Sequence, residues 1–139
     1  MGKYFVFVLV AVSSSFVFAK DKNLVPWGGD ESGQWYLIED SKEVNDGVAK
    51  AWFVHDLKEA KSIGDGGFYK SIRIQYEYNC KEYSQKTIRI KAYTEAMGFG
   101  YELEDAYVGD KTKPVFYRED DWNGRGFSGF CRKIWEFWR

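Results

Sequence analysis

The sequence is poor in the residues that most catalytic and metal-binding sites need. It has one histidine, two cysteines and two prolines, and its cysteines lack the Cys-x-x-Cys spacing of zinc and dithiol sites. The single histidine, His55, precedes Asp56, and such a pair acts as a general base only beside a nucleophile or a metal. No Gly-x-Ser-x-Gly motif supplies that nucleophile. We therefore predict no catalytic residues, no cofactor and no enzyme activity.

The sequence also lacks an excess of positive or negative charge. The net charge is −1 at pH 7 and no block of like charge stands out, which argues against a nucleic-acid partner. The acidic stretches 102–105 and 119–121 lack the ligand spacing and central glycine of an EF-hand loop, so we interpret them as solvated loops. Glycines 64, 66 and 67 lack the lysine and the helix of a phosphate loop. The sequence predicts no metal and no phosphate site.

The one long apolar run stands at the start of the chain. A positive Lys3 precedes an uncharged stretch from Tyr4 to Ala19, and charge returns at Lys20. A charged start, an apolar run and a small residue before a polar stretch are typical of a signal peptide. A spanning helix, the alternative, needs about 20 apolar residues, more than this run supplies. We expect residues 1–19 to be a signal peptide and 20–139 to be a single domain that does not insert into the membrane.

Two cysteines in an exported chain favour one structural disulfide. Cys80 and Cys131 would close a loop of about 50 residues, and the chain-entropy model gives that closure roughly 3–4 kcal/mol of stability. The alternative is a pair of separate buried thiols. No cysteine follows the signal region, so we expect no lipid anchor.

Short segments of alternating polarity predict an antiparallel sheet. The segment 69–80 places apolar groups on one side and polar groups on the other from Ile72 to Cys80, and residues 87–93 repeat this pattern after a short polar link. The segment 48–55 is apolar on both faces and favours a central strand. Further strands are expected at residues 34–39 and 100–104. The glycine-rich segment 20–33 is expected to be a loosely held N-terminal arm.

The end of the chain changes period. Its apolar residues follow helical spacing, at Phe127, Phe130, Cys131, Ile134 and Trp138. The predicted class is therefore α+β, with about six antiparallel strands and a C-terminal α-helix packed on them and tied by the disulfide.

Several motifs, in consistent order, resemble the bacterial surface-adhesin protein E-like domain family. They are Trp27, Glu39-Asp40-Ser41, Val48-Ala49-Lys50-Ala51-Trp52-Phe53-Val54, Tyr69-Lys70-Ser71-Ile72, Tyr78-Asn79-Cys80, Met97-Gly98-Phe99-Gly100 and the late Cys131. The resemblance implies a six-stranded sheet with a C-terminal helix held by a Cys80–Cys131 bond. It also implies adhesion to host matrix and serum proteins, with a homodimer among the expected assemblies. The named adhesin is a lipoprotein, and this chain lacks the lipid-bearing cysteine.

Three functions follow as hypotheses. The first is an exported bacterial binding protein, periplasmic or secreted, that contacts a host matrix protein or an envelope protein; its 19% aromatic residues include Tyr and Trp suited to contact surfaces. The second is a periplasmic inhibitor or immunity protein against an envelope-attacking enzyme such as lysozyme. It would use the acidic stretches 101–105 and 119–121. The third is hydrolysis by a carboxylate pair, Glu39 with Asp40 or Glu119 with Asp121. The sequence singles out no binding residues.

Overall fold

The chain folds into an antiparallel β-sheet. The computed structural model describes residues 23–64, 66–117 and 131–132. Eight strands form the sheet: β1 (Leu24–Gly29), β2 (Gly33–Ile38), β3 (Glu43–Asn45), β4 (Val48–Ser62), β5 (Phe68–Asn79), β6 (Ser84–Tyr93), β7 (Glu102–Tyr107) and β8 (Val115–Phe116). Two short 3-10 helices, Glu39–Ser41 and Ala96–Gly98, connect them. Within the described ranges, no helix has the length and apolar content to cross a membrane.

The strands follow one another across the sheet in nearly their order along the chain. The order is β1-β2-β4-β5-β6-β7, with β3 pairing with one end of β4 and β8 with one end of β6. A two-residue turn, Asp46-Gly47, joins β3 to β4, and both residues have positive φ, of 49° and 76°. A type I′ hairpin turn needs this conformation at both positions, and glycine adopts it without strain.

The predicted α+β class is wrong for the described residues. Their regular structure is mostly antiparallel strand, and besides Cys131 and Arg132 the described helices are the two three-residue 3-10 helices. Of the predicted C-terminal helix, only Cys131 and Arg132 are described, and both have helical backbone; the rest of it lies outside the described residues. The predicted signal peptide and the acidic residues 119–121 lie outside the described residues.

The N-terminal segment also differs from the expectation of a loose arm. Residues 24–29 form strand β1, which pairs with β2 at the edge of the sheet. Pro26 and a bulge before Gly28 occur within it. An edge strand tolerates both features because its outer backbone groups need no partner strand. Proline and glycine here therefore mark an edge strand.

The apolar core lies on one face of the sheet. Phe53 is its centre, at 2% exposure, and packs edge-on against Trp27, Tyr76 and Tyr78. The predicted disulfide is present: Cys80 and Cys131 are bonded, with their Cα atoms 5.6 Å apart. Both cysteines are buried in this core. The disulfide therefore fixes residue 131 against the apolar face and leaves the opposite face for polar side chains.

Candidate functional site

Polar and aromatic side chains align in rows on the face opposite the core. The strand register makes three adjacent rows, which we call the polar face: Asp56, Ser71, Tyr93 and Glu102; Val54, Arg73, Lys91 and Asp105; Trp52, Gln75, Arg89 and Tyr107. Each row takes one residue from each of β4, β5, β6 and β7. The four side chains of a row share one side of the sheet, because residues paired across neighbouring strands point the same way. The register therefore gathers residues from more than fifty positions of sequence onto one surface.

Two cations of the polar face lie over aromatic rings. The guanidinium carbon of Arg73 is 5.2 Å from the centre of the Tyr93 ring, and the ammonium of Lys91 is 5.9 Å from the Trp52 ring. Both distances lie within the range in which a ring quadrupole attracts a cation. These contacts hold long, flexible side chains in one arrangement.

Carboxylates from β7 fix the outer side of the polar face. The Arg89 guanidinium donates to both oxygens of Asp105, and the Lys91 ammonium lies 3.3 Å from Glu102 and 3.6 Å from Asp105. The hydrogen bonds from Arg89 lower the pKa of Asp105, and the same bonds raise the pKa of Arg89. The Tyr93 hydroxyl lies 3.2 Å from Glu102, and burial is the main reason why the pKa of Tyr93 is raised. The polar face therefore carries both positive and negative side chains.

A shallow cleft opens in the polar face. Its volume is about 290 Å³, and it is lined by Ile38, Ser41, Trp52, Arg73, Lys91 and Tyr93. The Ser41 hydroxyl is engaged with backbone, since it donates to the carbonyl of Ile38 and accepts from the amide of Trp52. The cleft thus offers two aromatic rings and two cations to a partner, and no activated nucleophile.

The loop around the second 3-10 helix closes one side of the polar face. The amide of Met97 donates to Asp56 at 3.0 Å, the amide of Gly98 donates to Ser71 Oγ at 2.7 Å, and Arg73 donates to the carbonyl of Gly98. Gly98 has a φ of 76°, and a Cβ there would lie 2.5 Å from Arg73 Nε. Glycine therefore suits this position, because another residue would be strained at this φ and its Cβ would displace the Arg73 side chain.

His55 and Asp56, adjacent in sequence, do not form a catalytic pair. Adjacent strand residues point to opposite faces, so Asp56 lies on the polar face and His55 on the other. His55 stacks on Trp35, and its Nε2 lies 3.2 Å from Ser32 Oγ and 3.8 Å from Asp30. Burial is the main reason why the pKa of His55 is lowered. The Ser32 hydroxyl donates to Asp30, so its proton is directed away from the imidazole.

The other candidates from the sequence are also separated or engaged. Glu39 pairs with Lys42, while Asp40 accepts from Asn23, so these two carboxylates do not share a site. The second pair, Glu119 with Asp121, lies outside the described residues. No group of acidic, histidine or cysteine side chains in the described part of the chain has the geometry of a metal site. In the stretch proposed for contact with a basic enzyme, Glu102 and Asp105 already pair with Lys91 and Arg89, which weakens the inhibitor hypothesis.

Alternation in the sequence predicts a polar side for both β5 and β6, but it does not identify the polar face as one surface across four strands. The missed residues are Trp52, Arg89, Lys91 and Tyr93, which come from neighbouring strands. The available signal was the alternation of Arg, Lys and aromatic residues in consecutive strands. That signal gives a surface only when the register between the strands is known.

The described residues form a disulfide-linked antiparallel β domain with a polar, aromatic face. The model of the family described as surface-adhesin protein E matches residues 24–132. The chain belongs to the surface-adhesin protein E family. Membership supports an exported, adhesin-like surface protein, and favours a non-catalytic role.

Solved structures support the same fold. The chain is similar to protein E from non-typeable Haemophilus influenzae, with a TM-score of 0.65 and 16% identity over 83% of this chain and 79% of that one. A second crystal form of Haemophilus influenzae protein E gives a TM-score of 0.62 and 15% identity over 83% of this chain and 91% of that one. No curated protein sequence gives a significant match. Identities this low carry the fold only.

Proposed function

We propose that this chain is an exported bacterial binding protein that acts without catalysis, by contact between its polar face and a protein partner. The observation that carries the proposal is the pair of cation–ring contacts, Arg73 on Tyr93 and Lys91 on Trp52. Tryptophan, tyrosine and arginine are the residues most enriched among those that dominate the energy of protein interfaces. Family membership supports the same class of function.

Preorganisation adds a physical reason. Ordering a long side chain on binding costs roughly 0.5–1.5 kcal/mol. Arg89 and Lys91 are already oriented by Asp105 and Glu102 in the free chain. Part of that ordering cost is therefore met by folding, which favours binding over a surface of freely rotating lysines.

The partner in this proposal is a host matrix protein or a protein of the bacterial envelope. A panel of immobilised matrix, serum and envelope proteins tests it with purified protein. We expect saturable binding to a member of the panel, and a loss of about tenfold or more in affinity for Trp52→Ala and Lys91→Glu. Phe68→Ala and Lys58→Glu change an exposed aromatic ring and an exposed lysine that do not belong to the three rows of the polar face. These two variants should bind as the unchanged chain does.

Absence of binding to every member of the panel would contradict the proposal. So would binding that falls equally in the control variants. Circular dichroism and a denaturant midpoint for each variant show that the fold is kept, so that a loss of binding is assigned to the surface.

Location decides between the two kinds of partner. We propose that the protein is periplasmic or secreted, and protease shaving of intact cells, followed by immunoblotting of cells, periplasm and medium, tests this. Protein removed by shaving or found in the medium supports a host partner. Protein that resists shaving and leaves with the periplasm supports an envelope partner and contradicts host adhesion.

A homodimer stays a prediction, which light scattering of the purified protein tests.

A further inference from the structure

Strand β7 is the last strand on its side of the described sheet. The amide of Val108 donates to the carbonyl of Ile88. Because bonded and non-bonded pairs alternate in an antiparallel ladder, Glu104 and Ala106 direct their backbone groups towards β6, while Asp105 and Tyr107 direct theirs outwards. Among the described residues, no strand pairs with this outer side. It is therefore a row of backbone donors and acceptors able to bind another strand.

Apolar exposure concentrates beside the same strand. Six of the seven exposed large apolar side chains in the described ranges lie between residues 101 and 117. On or next to β7 they include Tyr101 at 82% exposure, Leu103 at 40% and Tyr107 at 60%. Clustered exposed apolar groups mark contact surfaces more often than scattered ones do.

The opposite edge of the sheet is closed to pairing. Strand β1 carries Pro26, which has no amide proton, and a bulge before Gly28. In β7 the irregularity falls at Leu103, and residues 104–107 continue in regular register. Of the two ends of the described strand order, β1 and β7, only β7 therefore offers a regular stretch of backbone to a partner.

The charges of β7 indicate the chemistry of that partner. Residues 101–107 hold Glu102, Glu104 and Asp105 and no basic residue. Glu104 is exposed and makes no ion pair within the described part of the chain. A second copy of β7 would bring carboxylates opposite carboxylates, which is unfavourable, whereas arginine or lysine in the added strand would be attracted.

We propose that the outer edge of β7 binds an extended, basic segment of the partner protein as an additional strand. The backbone of Asp105 and Tyr107 supplies the hydrogen bonds, and the exposed carboxylate of Glu104 selects basic side chains. The exposed apolar side chains beside β7 cover the intervening residues of the segment. This inference rests on the proposed function and names the region and chemistry of its partner.

The test uses the purified protein and a short, end-blocked peptide of alternating arginine and valine as the probe. Fluorescence anisotropy should show saturable binding, with a loss of about tenfold or more when alternate peptide amides are N-methylated, because several backbone hydrogen bonds disappear while the charge stays. Hydrogen exchange at the Asp105 and Tyr107 amides should slow on binding. Glu104→Lys should weaken binding of this peptide and favour the same peptide with glutamate for arginine.

Glu59→Lys is the matched control, since it makes the same charge change at an exposed site on β4. It should leave binding unchanged. Equal affinity for the N-methylated peptide, unchanged exchange at Asp105 and Tyr107, or no binding at all would overturn the inference. If a partner from the protein panel is found and Glu104→Lys leaves its affinity unchanged, the β7 inference fails and the proposed function stands. If the peptide binds at β7 and no panel protein does, the proposed function fails by itself.

Discussion

The imidazole of His55 lies flat on the indole of Trp35, its cross-strand neighbour. The ring centres are 4.0 Å apart and the planes differ by 8°. His55 is 6% exposed. The stack and the nearby Ser32 bury a group that can gain a charge as the pH falls. This contact therefore links the stability of the β2–β4 pair to pH.

Stability should fall as the pH drops below about 6.5, the ordinary pKa of histidine. Burial lowers the pKa of His55 more than the attraction of Asp30 and Asp56 raises it, and Lys61 lowers it further. As the pH falls, the unfolded chain therefore takes up the proton first. The contribution of His55 to the free energy of unfolding is complete above pH 6.5 and is lost as the pH falls from there to the pKa of His55 in the folded chain. Urea unfolding at a series of pH values measures this slope.

His55→Phe is the variant for this prediction, because it keeps an aromatic ring against Trp35 and removes the titration. The slope just below pH 6.5 should disappear in it. Asp30, whose pKa is lowered to about 2 by hydrogen bonds from Ser32, acts in a separate and more acidic window. A slope that persists unchanged in His55→Phe would contradict the assignment to His55.

Removal of the disulfide should destabilise the domain strongly. Cys80 and Cys131 are 51 residues apart, and the chain-entropy model gives about 4 kcal/mol for the loop that they close. The variant with both cysteines replaced by serine should show this loss in a denaturant titration. A reducing agent should lower the midpoint of the unchanged protein and leave that of the variant where it is. Equal midpoints for oxidised protein and variant would refute the prediction.

Gly98→Ala should destabilise the fold by about 1–3 kcal/mol, because alanine is strained at a positive φ. The new Cβ would also displace Arg73, so binding to the partner should weaken. Gly64→Ala is the matched control: its φ is 96°, and no atom lies within 4 Å of its Cβ position. Gly64→Ala should lose only the stability that the strained backbone conformation costs. Equal effects on partner binding from both variants would show that Arg73 is not involved.

Phe53→Ala should cost about 3–5 kcal/mol, as expected for removal of a fully buried ring. The ring contacts Trp27 and Tyr76, with ring centres 5.6 and 5.7 Å away. Phe53→Leu keeps much of the volume and should cost clearly less. Thermal and chemical unfolding of the two variants compare these losses. A loss below 1 kcal/mol for Phe53→Ala would show that the core collapses around the gap.

The sequence predicts the central strands of this fold well. Alternation along residues 72–80 and 87–93 identifies β5 and β6, and the apolar run at 48–55 identifies β4, because these strands bury at least one face. The edge strand β1 was missed, since Pro26 and two glycines also characterise loops. The predicted C-terminal helix contributes only Cys131 and Arg132 to the described residues, which is why the predicted α+β class does not describe them.

The polar face was harder to predict than the strands. Arg73, Lys91 and Asp105 form one row because the strand register pairs Arg73 with Lys91 and Lys91 with Asp105. That register includes irregularities after Gln75 and after Ala92, and a shift of one residue would turn the side chains to the other face. Bulges have no reliable signature in a single sequence. The surface therefore becomes visible only in the folded chain.

Site-specific photo-crosslinking in the producing bacterium, exposed to the binding partner found in the panel, tests the central claim most directly. A benzophenone amino acid at Gln75, between Trp52 and Arg89 on the polar face, reports contacts within a few ångströms of that surface. The same amino acid at Glu59, on the exposed part of β4, is the control. The account predicts a crosslinked complex with the partner from Gln75 and none from Glu59. A complex from Glu59 alone, or from neither position while the partner remains bound, would contradict it.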